Sequence, residues 1–129
     1  MMMLRPLERL AREATPVTVD DADAFLSKPG WGLLLLSGDA NQRPEAQDLA
    51  VVVHELADRA PPGTRVGVVI DTDEAKVRGA FHVPALPALV WVKDGKVLST
   101  IPKIQDWAVY ARAADVFWGA RRAAVEVAP

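Results

Sequence analysis

The residues best suited to bind a ligand are six carboxylates that follow buried strands or begin the helices after them. They are Asp39, Glu45, Asp48, Asp71, Asp73 and Glu74. A carboxylate accepts charge-assisted hydrogen bonds, so a cluster of carboxylates is a candidate binding site. Each of them alone is better explained as a helix cap or a partner of the helix dipole. Only their convergence at one place favours a binding site.

Covalent and redox chemistry lack the residues that they need. The chain of 129 residues contains no cysteine, which excludes thiolate nucleophiles, dithiol redox centres, disulfides and Cys-based metal sites. Its two histidines, His54 and His82, are too few for a His-rich metal site. Ser37 follows a strand, but no acid–histidine pair is placed to activate it. We therefore expect no catalytic residue, no metal and no cofactor.

Composition indicates a globular chain without a strong charge preference. Half of the residues are apolar, 25% are charged, and the formal net charge is −2. Nucleic acid is excluded as a general partner, because phosphate binding needs a clustered basic surface. The first nine residues are interrupted by charges, and apolar runs such as Leu33–Leu36 are far too short to span a bilayer. We expect a cytoplasmic protein that does not insert into a membrane.

Apolar periodicity predicts an alternation of strands and helices that would position the carboxylates. Continuous apolar runs predict buried strands, and the Asp94-Gly95 pair between two β-rich runs is a strong hairpin signal. The predicted strands are 16–19, 31–36, 65–70, 88–92 and 97–101. Two predicted helices have clear bounds, 2–13 and 45–60. Two short helices are predicted, one after Asp20 or Asp21 and one whose start signal is formed by Asp71 and Glu74. A last helix is predicted to end at Gly119.

The last helix is apolar on more than one stripe. Its main predicted face consists of Ile104, Trp107, Ala108, Ala111, Ala114 and Trp118. Four further apolar residues fall outside that face: Val109, Tyr110, Val116 and Phe117. Either this helix is unusually buried or it meets another chain, such as a second copy of the protein. We expect residues 1–119 to form one domain and residues 120–129 to form a loosely held tail.

The order of elements predicts an α/β sandwich of three layers. Strand–helix–strand units imply parallel crossovers, and the closing hairpin adds an antiparallel part to the sheet. The chain resembles the thioredoxin-like fold in the strand 33–36 that leads into helix 44–60, the Leu86-Pro87-Ala88 step and the hairpin 93–96. The helix at 2–13 is an extra N-terminal helix.

The thioredoxin-like resemblance also shows what this chain lacks. It implies a cis proline at Pro87 beside the redox loop, and it sets Arg43-Pro44-Glu45-Ala46 where that family carries Cys-x-x-Cys. Both sulfurs are missing, so the defining reaction of the family cannot occur. We expect Arg43 to be solvated or to contact a partner.

A narrower resemblance covers the chain from about Leu4 to Gly119. The segments 15–17, 33–39, 43–45 and 81–90 resemble the hydrogenase expression/formation family of the HupG and HyaE type, which are cysteine-free thioredoxin-like proteins. This resemblance implies a cytoplasmic chaperone of the [NiFe] hydrogenase small-subunit precursor. Its implied partner is the twin-arginine signal peptide of that precursor.

A twin-arginine peptide offers two adjacent guanidiniums followed by an apolar segment. We expect its site at the carboxyl edge of the parallel strands, where loops form a crevice. The six carboxylates would lie there together with Arg43, Leu86 and Pro87, and Ala85, Leu86 and Trp31 are candidates for an apolar floor. Trp31 has a second expected position, at the opposite end of its strand.

Two other functions remain open on the sequence. The first is a redox-inactive scaffold that contacts a folded partner through its last helix or its N-terminal helix. The second is a glutathione-dependent enzyme that uses the Pro87 edge and Ser37, for which no activated nucleophile can be assembled.

Overall fold

Five strands form one mixed sheet in the computed structural model, which describes residues 4–119. The strands are β1 (Thr15–Pro16), β2 (Trp31–Leu36), β3 (Arg65–Val69), β4 (Ala88–Lys93) and β5 (Lys96–Pro102). Their order in the sheet is β1-β3-β2-β4-β5. The first three run parallel, whereas β4 is antiparallel to β2 and β5 is antiparallel to β4.

Helices cover both faces of this sheet. They are α1 (Pro6–Glu13), α2 (Ala22–Leu26), α3 (Glu45–Arg59), α4 (Glu74–Phe81) and α5 (Trp107–Ala114), and α5 continues into a π-helical turn at Asp115–Gly119. Helices α1, α3 and α5 pack on one face, and α2 and α4 pack on the other. The predicted three-layer α/β/α architecture with an added N-terminal helix is therefore confirmed. In residues 4–119, every helix is too short or too polar to cross a bilayer.

Strand β2 is the centre of the core. Leu33 and Leu35 belong to the apolar cluster under α1, α3 and α5, whereas Leu34 and Leu36 belong to the cluster under α2 and α4. Successive side chains of a strand point to opposite faces, so a strand covered on both sides must be apolar at every position. The unbroken leucine run is the consequence of this position.

The turn at Asp94 and Gly95 confirms the predicted hairpin between β4 and β5. Both residues have positive φ, 50° and 81° respectively, as a two-residue turn matched to the strand twist requires. The Leu86–Pro87 peptide bond is cis, in agreement with the thioredoxin-like resemblance.

The first part of the chain departs from the predicted elements. Helix α1 begins at Pro6 and not at residue 2, since proline suits the first helical position and forces the residue before it into an extended conformation. Residues 16–19 do not continue as a strand. Thr18 and Asp21 form a capping box for a 3-10 turn at Val19–Asp21, and this local hydrogen bonding ends β1 at Pro16.

The buried faces of β3 and α5 also differ from the prediction. Strand β3 ends at Val69, and Ile70 is exposed. On α5 the fully buried residue is Tyr110, whose hydroxyl accepts a hydrogen bond from the backbone N–H of Gln105 at 3.0 Å. Trp107 is exposed, whereas the other three tryptophans are core residues. The expected tail at 120–129 lies outside the described residues, and the single domain over 1–119 stays a prediction.

Two valines of α3 provide a matched test of this packing. The Val53 side chain is 0% exposed and that of Val51 is 48% exposed. We expect Val53→Ala to lower the free energy of unfolding by about 2 kcal/mol, because it removes two buried carbon groups and leaves a cavity. Val51→Ala should change it by less than about 0.5 kcal/mol. Urea unfolding followed by circular dichroism measures both, and equal effects would contradict this assignment of the α3 faces.

Candidate functional site

Four segments of the chain meet around the side chain of Glu74. Its carboxylate accepts two hydrogen bonds from Arg43, from Nε at 2.5 Å to Oε2 and from Nη2 at 2.7 Å to Oε1. The backbone N–H of Asp39 donates a third, at 2.9 Å, to Oε2. Glu74 begins α4, Arg43 precedes α3, and Asp39 lies in the loop after β2. This fork-to-fork ion pair therefore ties both helix starts to the carboxyl end of the central strand.

Gly38 allows these segments to approach one another. Its φ is +68°, and a Cβ at this position would lie 2.7 Å from Oε2 of Glu74 and 3.2 Å from Cβ of Leu86. Any larger residue would push Glu74 or Leu86 away. The segment before β4 thus completes the junction, beside the cis proline.

The ion pair alters the proton affinity of both partners. The hydrogen bonds from Arg43 and from the backbone of Asp39 lower the pKa of Glu74 from 4.5 to about 2. The hydrogen bond to Glu74 raises the pKa of Arg43, and the charges of Glu45 and Asp39 add to this effect. Both side chains stay in partial contact with water, at 37% exposure for Arg43 and 19% for Glu74.

The expected carboxylates have different roles on these segments. Asp39 accepts from the backbone N–H of Asn41 and is half-buried. Glu45 begins α3, and its Oε2 atom is shielded from solvent with no hydrogen-bond donor. Asp48 is exposed on the first turn of α3. Asp71 and Asp73 lie in the connection from β3 to α4, directly before Glu74.

Arg43 keeps partial contact with water, and Glu74 also holds it by two hydrogen bonds, which the sequence did not predict. One sequence expectation at this edge is wrong. The helix-start residue of α4 is Asp73 and not Asp71, because Asp73 accepts from the backbone N–H of Lys76 while Asp71 accepts from that of Asp73. The N-cap of α4 therefore lies two residues later than the sequence predicts.

The expected apolar floor is smaller than predicted. Leu86 and Pro87 are buried beneath the junction, and Ala85 is half-buried. Trp31 lies at the other end of β2, where it is paired with Lys93 and packs edge-on against Trp118. Ile70, which the sequence predicted to be buried, is exposed next to Asp71 and adds apolar surface at this edge.

The two residues that the thioredoxin-like resemblance sets at the cysteine positions are unlike each other. Arg43 takes the half-exposed position, and Ala46 takes a fully buried one at the first turn of α3. Ser37 is buried, and its hydroxyl lies within hydrogen-bonding distance of the Gly38 and Val69 backbone carbonyls, at 2.8 and 3.1 Å. This burial argues against Ser37 as the nucleophile of the glutathione-dependent alternative.

A separate concavity lies between α1 and α3. Its volume is about 150 Å³, and it is lined by Leu10, Glu13, Ala14, His54, Ala57, Asp58 and Val66. His54 Nδ1 is 3.6 Å from Glu13 Oε2. Within residues 4–119, no group of three or more His, Asp or Glu side chains is arranged to hold a metal ion.

Sequence comparisons show that this chain is similar to hydrogenase expression/formation proteins. The profile of the family described as "Hydrogenase-1 expression protein HyaE" matches residues 6–110. Hydrogenase expression/formation protein HupG of Bradyrhizobium diazoefficiens is 42% identical over 99 residues, which are 76% of this chain and 67% of HupG. HoxO of Cupriavidus necator, which has the same description, is 34% identical over 110 residues, 82% of this chain and 68% of HoxO. The chain thus spans about two thirds of the length of these curated relatives.

Structural comparisons show a thioredoxin-like fold. Mitochondrial thioredoxin 3 of Saccharomyces cerevisiae superposes with a TM-score of 0.66 at 13% identity, over 82% of this chain and 98% of that one. A point mutant of thioredoxin from Halobacterium salinarum gives a TM-score of 0.60 at 22% identity, over 90% and 96% of the two chains. The predicted fold class is confirmed.

The Glu74 ion pair predicts a specific acid sensitivity. The pKa of Glu74 is lower in the fold, about 2, than its ordinary value of 4.5, so its contribution is full above pH 4.5 and is lost as the pH falls towards 2. We expect Glu74→Gln to lower the free energy of unfolding by about 1 to 2 kcal/mol at pH 7. This difference should shrink steadily below pH 4.5.

Urea unfolding at several pH values between 7 and 2.5 measures this dependence. Glu55→Gln, at an exposed position of α3, is the control for the loss of one negative charge. A Glu74→Gln deficit that stays constant with pH would show that the ionised carboxylate is not the stabilising group.

Proposed function

The chain belongs to the hydrogenase expression/formation family of HyaE and HupG, and from that premise we propose that it is a non-catalytic chaperone for the twin-arginine signal peptide of a [NiFe] hydrogenase small-subunit precursor. Relatives named for hydrogenase expression and formation support a role in hydrogenase maturation. The finer assignment, to the signal peptide, depends on the chemistry of the edge around Glu74.

The observation that carries the proposal is that this edge already binds a guanidinium. Glu74 holds Arg43 by two parallel hydrogen bonds, the geometry that distinguishes arginine from lysine. Asp39 lies in the loop after β2, and Asp71 and Asp73 directly precede Glu74 in the connection from β3 to α4. Guanidiniums of a peptide would find these further carboxylates on the segments next to the pair.

An apolar segment after the two arginines needs an apolar surface beside the carboxylates. Ile70 is exposed at the end of β3, next to Asp71. Ala85 is half-buried in the segment before the cis Pro87. Covering these side chains would remove apolar surface from water, which favours binding. The available surface suits a short apolar segment and not a long one.

Peptide binding of this kind needs neither a cofactor nor a metal. The fold keeps the thioredoxin-like edge at Pro87, but Arg43 and Ala46 stand where the reactive sulfurs would be. The protein would hold a segment of its client without changing it. A signal peptide is recognised before export, so the proposal assigns the protein to the cytoplasm, with the precursor as its partner.

A scaffold that contacts a folded partner is the second candidate. It is favoured by the exposed apolar residues Trp107, Val109 and Val116 on α5 and its π-helical extension. The same surface would serve a second copy of the chain, so the homodimer stays a prediction. This candidate does not require the carboxylates at the Glu74 edge, and the two functions can be separated by experiment.

Calorimetric titration with a synthetic signal peptide tests the proposed function. We expect the peptide with two arginines to bind at least about tenfold more tightly than the same peptide with two lysines, because lysine cannot form the two parallel hydrogen bonds. The two peptides carry the same charge, so the comparison isolates geometry. Equal affinity for both peptides, or binding of neither, would refute the signal-peptide assignment.

Neutral variants at the edge separate the chaperone from the scaffold. We expect Asp71→Asn with Asp73→Asn to weaken peptide binding about fivefold or more, by removing two attractive charges. Asparagine caps helices as well as aspartate does, so α4 should remain intact. Asp20→Asn with Asp23→Asn, at exposed positions by α2, is the matched control. Unchanged capture of the hydrogenase precursor by the Asp71 and Asp73 variant would favour the scaffold.

A further inference from the structure

The guanidinium at the proposed site belongs to the protein itself. Arg43 occupies both oxygens of Glu74, and Oε2 also accepts the backbone N–H of Asp39. Glu74 therefore accepts three hydrogen bonds, and Arg43 donates the two that form the bidentate pair. A peptide arginine can form the same two hydrogen bonds only if Arg43 leaves.

We propose that Glu74 is the carboxylate that recognises a peptide arginine, and that Arg43 is a resident competitor which the incoming guanidinium displaces. This inference rests on the proposed function, since it concerns the same edge and the same ligand. The inference adds two points to the proposed function. It names the carboxylate that distinguishes arginine from lysine, and it names the residue that limits the affinity of the site for the peptide.

The exchange costs little because the two bonding arrangements are alike. Arg43 and Glu74 are both in partial contact with water, and breaking an ion pair in such a position costs much less than breaking a fully buried one. Breaking the pair and forming an equivalent one with a peptide leaves the number of charge-assisted hydrogen bonds unchanged. A lysine from a peptide offers one point charge in place of the fork, so it displaces Arg43 less well.

A displaced Arg43 remains in the field of other carboxylates. The charges of Glu45 and Asp39 both act on its guanidinium and raise its pKa. The Oε2 atom of Glu45 is buried and receives no hydrogen bond, so it can accept one from a donor that swings towards it. Release from Glu74 therefore does not leave the guanidinium of Arg43 without a partner.

The resident arginine would make the site selective. Only the fraction of molecules with Arg43 released can bind, so the apparent affinity falls by that fraction. Basic segments that lack the bidentate fork then bind too weakly to be retained. The same competitor reoccupies Glu74 when the peptide leaves, so the signal peptide remains exchangeable.

Calorimetric titration of Arg43→Gln with the two-arginine peptide tests the inference. We expect this variant to bind the peptide about fivefold more tightly than the wild type. Without Arg43, peptide binding no longer has to break an ion pair, and fivefold corresponds to the upper end of the usual strength of a solvent-accessible pair. The matched control is Arg78→Gln, because Arg78 is exposed and its charge acts on Glu74 without being one of its hydrogen-bond donors. Both variants lose one positive charge. A larger gain in peptide affinity for Arg43→Gln than for Arg78→Gln therefore shows the effect of releasing Glu74 and not of the change in net charge.

Glu74→Gln completes the experiment. Its preference for two arginines over two lysines should fall to less than about twofold, since the amide cannot form the charged fork. If Arg43→Gln proves unfolded in a thermal melt, Arg43→Lys keeps the charge without the fork and should tighten binding by a smaller factor.

The outcomes distinguish this inference from the proposed function. If the wild type prefers the two-arginine peptide but the folded Arg43 variant binds no more tightly than Arg78→Gln, Arg43 does not compete with the peptide. The proposed chaperone function is then unaffected. If Glu74→Gln keeps the full preference for two arginines over two lysines, Glu74 is not the carboxylate that recognises the peptide arginine. If neither the wild type nor the Arg43 variant binds either peptide, both proposals fail.

Discussion

Burial of β2 on both faces is the constraint on which the other elements depend. Leu33–Leu36 lie at the middle of the sheet, between a parallel neighbour and an antiparallel one, and their side chains alternate between two separate apolar clusters. Helices must therefore cover both faces, α1, α3 and α5 on one side and α2 and α4 on the other. Because the strand is held so firmly, the direction and position of the chain that leaves it at Ser37 are also determined.

The candidate site is built on that exit from β2. Gly38 lets the backbone pass within contact distance of Glu74 and Leu86, and the Arg43–Glu74 pair then joins the starts of α3 and α4. At this edge the chain has no cysteine and holds the Arg43–Glu74 ion pair. The absence of thiol chemistry and the proposed recognition of arginine thus concern one location in the fold.

Elements with a strong local signal could be predicted from the sequence. The leucine run, the Asp94-Gly95 turn and the long α3 were all found, because their signals depend on neighbouring residues alone. The errors occurred where a distant or competing contact decided the outcome. Thr18 bonds to Asp21 and ends β1 early, and Tyr110 is buried because its hydroxyl finds a backbone partner near the end of β5. Ile70 is exposed because β3 pairs only as far as Val69.

By itself, the sequence determined that no thiol chemistry is available, that strands and helices alternate, and that acidic residues follow the central strands. Local composition and periodicity are sufficient for these conclusions. Only the tertiary structure decided which of the carboxylates is engaged and by what. Arg43 and Glu74 are 31 residues apart, and nothing in either local sequence indicates the other. Their pairing depends on the distance between two helix starts, which is a property of how the helices pack on the sheet and not of any one segment.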